Sequence, residues 1–359
     1  MKAAVLKEFA GALSVETWPD PVLGTGEVIV DMVAAPVLSY AGEVFSGKRQ
    51  YLLKLPVVPG AGGVGQVRQV GPDATKLKVG DWVFCDPTVR SRDNVLTPDI
   101  TLQGLSARGE GGLRLQEYFR DGAYAEQLRL PTENVFRLGE LDSVQAAQWC
   151  ALNTLLVPYG GLYAAGLRAG ETVLISGATG NFGSSGVQAA LAMGAGCVIA
   201  PGRNQAMLDD LTRRFGARVR PVKLTGDEDT DREAMKRAAP GAIDCVLDIL
   251  PPSAPAPAAR AAAMSVRPYG RVVLMGGVGM LGGAGLDLPY PWIMRNNVTI
   301  LGQWMYPPVV VVSIIQLVRS GVLDLREFEV QSFSLDDANL AVAHAAEVNQ
   351  PFQVTVIQP

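Results

Sequence analysis

A chain of 359 residues exceeds what one compact core usually holds, so two domains are expected. Its 48% apolar and 18% charged residues are those of a globular protein, and a formal net charge of −4 argues against a nucleic-acid binder, which carries a basic face. The 40 glycines and 24 prolines follow no fixed period, which excludes a fibrous repeat.

At the N-terminus, "MKAAVLKEFAG" lacks the long apolar run of a signal peptide, because Lys7 and Glu8 interrupt it. "AAVLKEF", "EVIVDMVAA", "GVGQVRQVG" and "DWVFCDP" then read as short strands punctuated by Gly, Pro and Asp turns. The stretch from Val89 to Asp121 reads as an irregular, charged loop with Arg90, Arg92, Arg108, Arg114 and Arg120. It is either a solvated surface loop or a basic lid over an anionic substrate. Cys85, Cys150, Cys197 and Cys245 stand far apart with no CxxC pair, as expected of reduced, buried thiols in a cytoplasmic protein.

From about residue 154 apolar strands alternate with helical patterns, the signature of βαβ units and a parallel sheet. The strands are "TVLIS", "GCVIAP", "RVRPV", "DCVLDIL", "RVVLMGG" and "VTILGQW". Helices are predicted at Ser184–Met193, Gln205–Phe215, Asp231–Ala239 and Ala256–Val266. Such a series makes a doubly wound Rossmann fold. The tail from Pro307 reads as a helix, a second helix "LDDANLAVAHAAE" and a last strand "FQVTVIQ". It is too short to fold alone and is expected to pack on the first domain. Its most apolar segment, "PPVVVVSIIQLV", is too short to cross a membrane.

The first of those strands runs into Gly177-Ala178-Thr179-Gly180-Asn181-Phe182-Gly183 and then a helix. A strand, a glycine turn and a helix form a phosphate-binding corner. One glycine permits the tight turn, one lets a pyrophosphate approach the backbone, and one lets the helix pack on the strand. A bare glycine motif is weak evidence, but here its flanking elements and five further strands agree with it. At the end of the second strand, Ala200-Pro201-Gly202-Arg203-Asn204 has no acid to hold a ribose 2′-hydroxyl. Arg203 suits a 2′-phosphate instead, which points to NADP(H). The alternative is that Arg203 is simply a solvated residue at a helix start.

The chain resembles the medium-chain dehydrogenase/reductase superfamily, and within it the zinc-free quinone oxidoreductase-like branch. The resemblance rests on "LPVVPGAGGVGQVRQVG", "LKVGDWV", "DGAYAEQLRLP", "CALNT", "GATGNFG", "RVVLMGG" and "SLDDANLAVAHAAE", which span nearly the whole length. It implies an α/β protein with a β-rich GroES-like catalytic domain at 1–153, completed by 307–359. A Rossmann domain with a doubly wound, six-stranded parallel sheet is implied at 154–306, with the active site in the cleft.

Zinc members of this superfamily share three catalytic ligands and often four structural cysteines. Here the position of the first cysteine is Leu38, the Gly-His-Glu stretch is Gly60-Ala61-Gly62, and only Cys150 stands at a ligand position. No cysteine lies in the loop where the structural set would be. A catalytic zinc needs at least three protein ligands, so no metal is expected. Without a metal to polarise a carbonyl, direct alcohol–ketone interconversion lacks its electrophile. An enone, enal or quinone demands less, because charge spreads into an enolate that hydrogen-bond donors stabilise.

The expected function is therefore zinc-independent, NADPH-dependent reduction of an activated double bond or quinone. The alternatives are a metal-free secondary-alcohol dehydrogenase or ketone reductase, and a non-catalytic NADPH-binding protein. The resemblance implies roles for two tyrosines. Tyr40 takes the place of the residue that relays the substrate proton, and Tyr51 that of a tyrosine facing the nicotinamide. A phenol is a plausible donor to an enolate, and either tyrosine could instead be packed with its hydroxyl satisfied. Thr154, Leu250, Met275, Gly276 and Gly277 are expected at the cofactor, with Asn204 beside Arg203. Trp304 and Tyr306 are candidates for the substrate pocket or a dimer edge. Where the family often has a Gly-Lys or Gly-Arg cofactor contact, this chain has Pro351-Phe352-Gln353. An exposed sixth strand invites a homodimer. His344, in the tail helix, is expected to be structural.

Overall fold

The computed structural model describes residues 1–359. Its chain folds into two compact units: Met1–Asn153 with Leu325–Asn349 and Gln353–Pro359, and Thr154–Asp324 with Gln350–Phe352. No helix is long and apolar enough to cross a membrane.

The first unit is built on a seven-stranded sheet around the long strand Glu27–Val37. That strand pairs antiparallel with Gly63–Val70, Gln127–Pro131 and Gln353–Gln358. It is buried along nearly its whole length, with only Asp31 and Val33 partly exposed, as a central strand covered on both faces is. The tail adds Glu329–Ser334, a strand the sequence reading missed, parallel to Gln353–Gln358. It escapes notice because "EVQSFS" shows no apolar alternation.

The segment from Val89 to Asp121 is not irregular. It forms a three-stranded sheet, Thr88–Arg90, Ile100–Leu102 and Ser106–Ala107, followed by a helix at Gly109–Tyr118. The three glycines in "GEGG" hide this helix from propensity reasoning. Its arginines are engaged locally. Arg92 pairs with Glu133 at 2.8 Å, Arg120 with Asp121 at 3.2 Å, and Arg90 donates to the Thr88 carbonyl at 3.0 Å.

The second unit holds six parallel strands in the spatial order Val219–Lys223, Cys197–Gly202, Thr172–Ser176, Cys245–Asp248, Arg271–Leu274 and Thr299–Gly302. This order, 3-2-1-4-5-6 along the chain, reverses beside the first strand and opens a crevice there. The central strands are apolar because helices cover both faces. Leu174, Ile199, Val246 and Val272 join Met235, Ile243 and Ala261–Ala263 in one core cluster.

The helix Gln205–Phe215 has the predicted bounds. The helix expected from Asp231 starts at Glu228, where the Asp227 side chain caps it by accepting from the Thr230 N–H at 2.9 Å. A helix at Leu152–Ala164 was not expected, because Pro158 and two glycines interrupt its pattern. The helix Pro308–Arg319, which the sequence reading attached to the first domain, falls in the second unit. Its Val310, Val311 and Ile314 are buried.

Candidate dinucleotide and substrate sites

In the second unit the first parallel strand ends at Ser176 and turns at Gly177, whose φ is +95°. The following helix begins at Asn181, three residues earlier than its apolar pattern suggests, and Gly180 caps it with no side chain. The first-turn N–H groups of a helix have no intrahelical acceptor, and the helix dipole adds partial positive charge. A Cβ on Gly183 would lie 1.9 Å from the Gly177 carbonyl oxygen, so no side chain fits. Bare backbone, a helix start without a side-chain cap and a strand end on one turn fit a diphosphate.

The second strand ends at Gly202, and Arg203 follows it, exposed. Asn204 spends its side-chain oxygen on capping the next helix, accepting from the Met207 N–H at 3.4 Å. Sequence reasoning missed Lys223, which ends the neighbouring strand opposite Gly202 and donates to the Arg203 carbonyl. Two cationic side chains therefore stand at adjacent strand ends, where the adenosine end of a dinucleotide would lie.

On the other side of the crevice, the turns after the fourth and fifth strands are tied together. Met275 N–H donates to the Asp248 carbonyl at 2.9 Å, and Gly277 N–H to the Leu250 carbonyl at 2.8 Å. Asp248 was also missed. The residue is 4% exposed, and its Oδ1 has no hydrogen-bond partner. Burial pushes its pKa up to about 6. A Cβ on Gly276 would lie 2.6 Å from Asp248 Oδ2, which explains the glycine. Thr154 and Tyr306 are buried, whereas Trp304 is 42% exposed.

In the first unit a short helix at Ala41–Phe45 and the turn after it gather Tyr40, Glu43, Arg49 and Tyr51. The two phenol rings meet edge to face with centroids 6.5 Å apart. The Arg49 guanidinium lies 4.1 Å over the Tyr40 ring, and its Nε donates to Glu43 at 2.7 Å. Burial, and then the neighbouring Tyr51, push the Tyr40 phenol well above its ordinary range, with Arg49 opposing only in part. Desolvation pulls Arg49 down, but its hydrogen bond to Glu43 and the nearby Tyr51 and Tyr40 phenols outweigh this and leave it raised. Arg49 and Glu43 have no sequence motif that could have marked them.

Cys150 is fully buried and donates to the carbonyls of Ala34 at 3.4 Å and Ala146 at 3.6 Å. Burial raises its thiol far from ionisation. Asn153 ties down the neighbouring backbone by donating to the Ala61 carbonyl at 2.6 Å. Gly62 has φ +72°, and a Cβ there would lie 2.2 Å from the Cys85 carbonyl. No group of three or more His, Cys, Asp or Glu side chains converges in a way that could hold a metal ion. His344 is a packing residue, 3.0 Å from the Thr355 hydroxyl and stacked near Phe333.

The alcohol dehydrogenase GroES-like domain family matches residues 24–140. An alcohol dehydrogenase of Geobacillus stearothermophilus is 34% identical over 60% of this chain and 62% of its own length. An acryloyl-coenzyme A reductase of Metallosphaera sedula is 32% identical over 54% of this chain and 57% of its own. Each match thus spans less than two thirds of the relative. The alcohol dehydrogenase of Aeropyrum pernix shares the fold across 100% of both chains, with a TM-score of 0.80 at 22% identity. The chain thus carries an alcohol dehydrogenase GroES-like domain at residues 24–140 and shares the fold of alcohol dehydrogenases along its length.

The glycine corner and the ends of the parallel strands lie at the crevice where the strand order reverses, the place at which doubly wound folds take ligands. The positions expected from the resemblance to hold metal ligands carry Leu38, Ala61 and Gly62 beside Cys150.

Proposed function

We propose that the protein is an NADPH-dependent oxidoreductase of the zinc-free, quinone oxidoreductase-like branch. It reduces a carbon–carbon double bond conjugated to a carbonyl, or a quinone. The observation that carries this reading is the backbone at Gly60–Gly62. The ligand side chains are missing, and Gly62 is packed so tightly on the Cys85 carbonyl that a glutamate would displace it. A carbonyl has no cationic polariser there, so a substrate that delocalises its developing charge is favoured. The likeness to an acryloyl-coenzyme A reductase, whose named substrate is an activated alkene, supports the same class.

Bound NADPH would supply the hydride. The backbone of Gly177 to Gly183 holds its diphosphate. Arg203 pairs with the 2′-phosphate, while Leu250, Met275, Gly276, Gly277 and Thr154 line the nicotinamide half. Tyr51 donates a proton to the enolate oxygen, and Trp304 and Tyr306 shape the substrate end. The unpaired edge of the sixth strand, Thr299–Gly302, joins two copies into a homodimer.

A second reading, metal-free ketone reduction with Tyr40 as the acid, draws on the alcohol dehydrogenase relatives. The raised Tyr40 phenol weakens it, since a general acid works best with a pKa near the operating pH. Incubation with NADPH and either an α,β-unsaturated ketone or its saturated counterpart separates the two. The first reading predicts faster turnover of the unsaturated ketone. Turnover of the saturated ketone alone overturns it.

A further inference from the structure

The two central strands of the parallel sheet, Thr172–Ser176 and Cys245–Asp248, lie side by side where the strand order reverses, and their last residues, Ser176 and Asp248, are register partners. A ligand bound at that reversal sits over this pair. The acids that stand just before the same two strands, at the opposite edge of the sheet, each have an arginine. Glu171 is paired with Arg271 at 2.6 Å, and Asp244 with Arg267 at 2.7 Å. Asp248 makes no ion pair, is 4% exposed, and leaves its Oδ1 without a hydrogen-bond partner. Gly276 keeps room for the carboxyl, since a Cβ there would lie 2.6 Å from Oδ2 and 3.0 Å from the Leu250 nitrogen. The glycine corner is one residue away: a Cβ on Gly177 would lie 3.4 Å from the carbonyl oxygen of Ile249, the neighbour of Asp248.

A carboxylate buried without a cation is costly, whereas a neutral carboxyl needs only hydrogen-bond partners. Burial accordingly lifts the Asp248 pKa to about 6, against a smaller opposing pull from the Ser176 side chain and the Leu250 backbone. No charged side chain enters that balance. A dinucleotide brings the negative charge of its diphosphate to the adjacent glycine corner, and a like charge disfavours the ionised carboxyl further. A carboxylate offers acceptors only, whereas a carboxylic acid has an O–H donor to give to an anionic ligand. We propose that Asp248 is a proton-linked part of the dinucleotide site: its carboxyl meets the ligand as the neutral acid, and a proton is taken up from solvent when an ionised site is filled. The unpartnered Oδ1 is the edge left free to donate. This inference rests on the reading of the crevice as a dinucleotide site.

The balance is one proton. At pH 7 a group with a pKa of about 6 is roughly one-tenth protonated, so a ligand that requires the acid draws about 0.9 proton per site. The apparent Kd is the intrinsic value divided by the protonated fraction, so it levels off below about pH 6 and rises about tenfold from pH 7 to pH 8. The 2′-phosphate of NADPH has the opposite sign, because its dianion, nearly complete above about pH 7, binds a cation better. Other groups that titrate in this range stand apart. The one histidine, His344, belongs to the first unit, and burial raises the Cys197 and Cys245 thiols of the second.

The test is isothermal titration calorimetry of the full chain at pH 7 in two buffers of different ionisation enthalpy, which counts protons. It is run with NADPH and with NADH, which lacks the 2′-phosphate. The expected result is uptake of about 0.7 to 1 proton per site with either dinucleotide, and a Kd about tenfold weaker at pH 8 than at pH 7. Asp248→Asn keeps the shape and a donor but cannot ionise. It is expected to take up no proton and to hold its Kd within about twofold from pH 7 to pH 8. Binding by the parent without proton uptake overturns the inference and leaves the dinucleotide reading standing. An Asp248→Asn protein with the parent's pH dependence does the same. Should Asp248→Asn not fold, the proton count on the parent decides alone. Binding of neither dinucleotide, even at pH 6, defeats the dinucleotide reading and this inference with it.

Discussion

Among single residues, Arg203 and Asp248 bear on the site in opposite ways. Arg203 is exposed, and its value lies in a partner it would meet only on binding. A charge-assisted hydrogen bond contributes about 1.5–3 kcal/mol, or one to two decades of affinity. Arg203→Glu should therefore raise the Kd for NADPH about 10- to 100-fold and leave NADH nearly unchanged, as read by titration of nicotinamide fluorescence. An unaltered ratio of the two constants would remove Arg203 from the site. Lys223→Met should weaken NADPH in the same direction. Asp248 is buried, and desolvation lifts its pKa to about 6 from a reference of 3.8. A raised acid contributes stability that is complete below the unfolded value and is lost as pH rises through the folded one. The difference of about two pH units corresponds to roughly 3 kcal/mol. The Tm of the parent should thus fall relative to Asp248→Asn between about pH 4 and pH 7. Parallel Tm profiles would contradict this account of the carboxyl.

At the scale of elements, what the sequence made legible follows from local physics. The central parallel strands, Thr172–Ser176, Cys197–Gly202 and Cys245–Asp248, could be read because they are buried on both faces and largely apolar. Arg203 and the glycine turn were legible because chain order alone places them at strand ends. Lys223 was not, because its meaning comes from lying opposite Gly202 in the sheet register. Arg49, Glu43 and Asp248 were missed for a related reason. Their roles depend on ring faces, turns and a carboxyl enclosed by packing, none of which leaves a spacing rule. The helix inside the Val89–Asp121 segment was obscured by glycines that it needs for close packing. Gly112 sits where a Cβ would lie 2.3 Å from the Ile100 carbonyl. The same logic gives a test of the phosphate corner. Gly183→Ala sets a methyl against the Gly177 carbonyl, and either the turn or the helix must move. Dinucleotide binding should fall by at least tenfold while the circular dichroism of the sheet and helices persists. Unchanged affinity would show that the corner tolerates a side chain and does not cradle a phosphate.

For the whole molecule, fold and chemistry separate cleanly. The chain shares its architecture with an alcohol dehydrogenase across the full length, yet folds of this kind host many reactions. What sets this chain apart is chemical. The segments that the resemblance sets against the metal ligands of zinc members hold Leu38, Ala61 and Gly62, and Cys150 is a buried thiol that burial keeps far from ionisation. The fold is thereby left with backbone donors, phenols and one desolvated arginine. Those groups suit charge that develops on a delocalised oxygen. The central claim is that hydride transfer here needs no metal. It is tested most directly by the kcat for NADPH-driven reduction of an α,β-unsaturated ketone, before and after exhaustive treatment with a zinc chelator. The account predicts that the two values agree within about twofold, since a lost metal electrophile would cost several kcal/mol, a factor of a thousand or more. Loss of activity on chelation, restored by adding zinc, would contradict it.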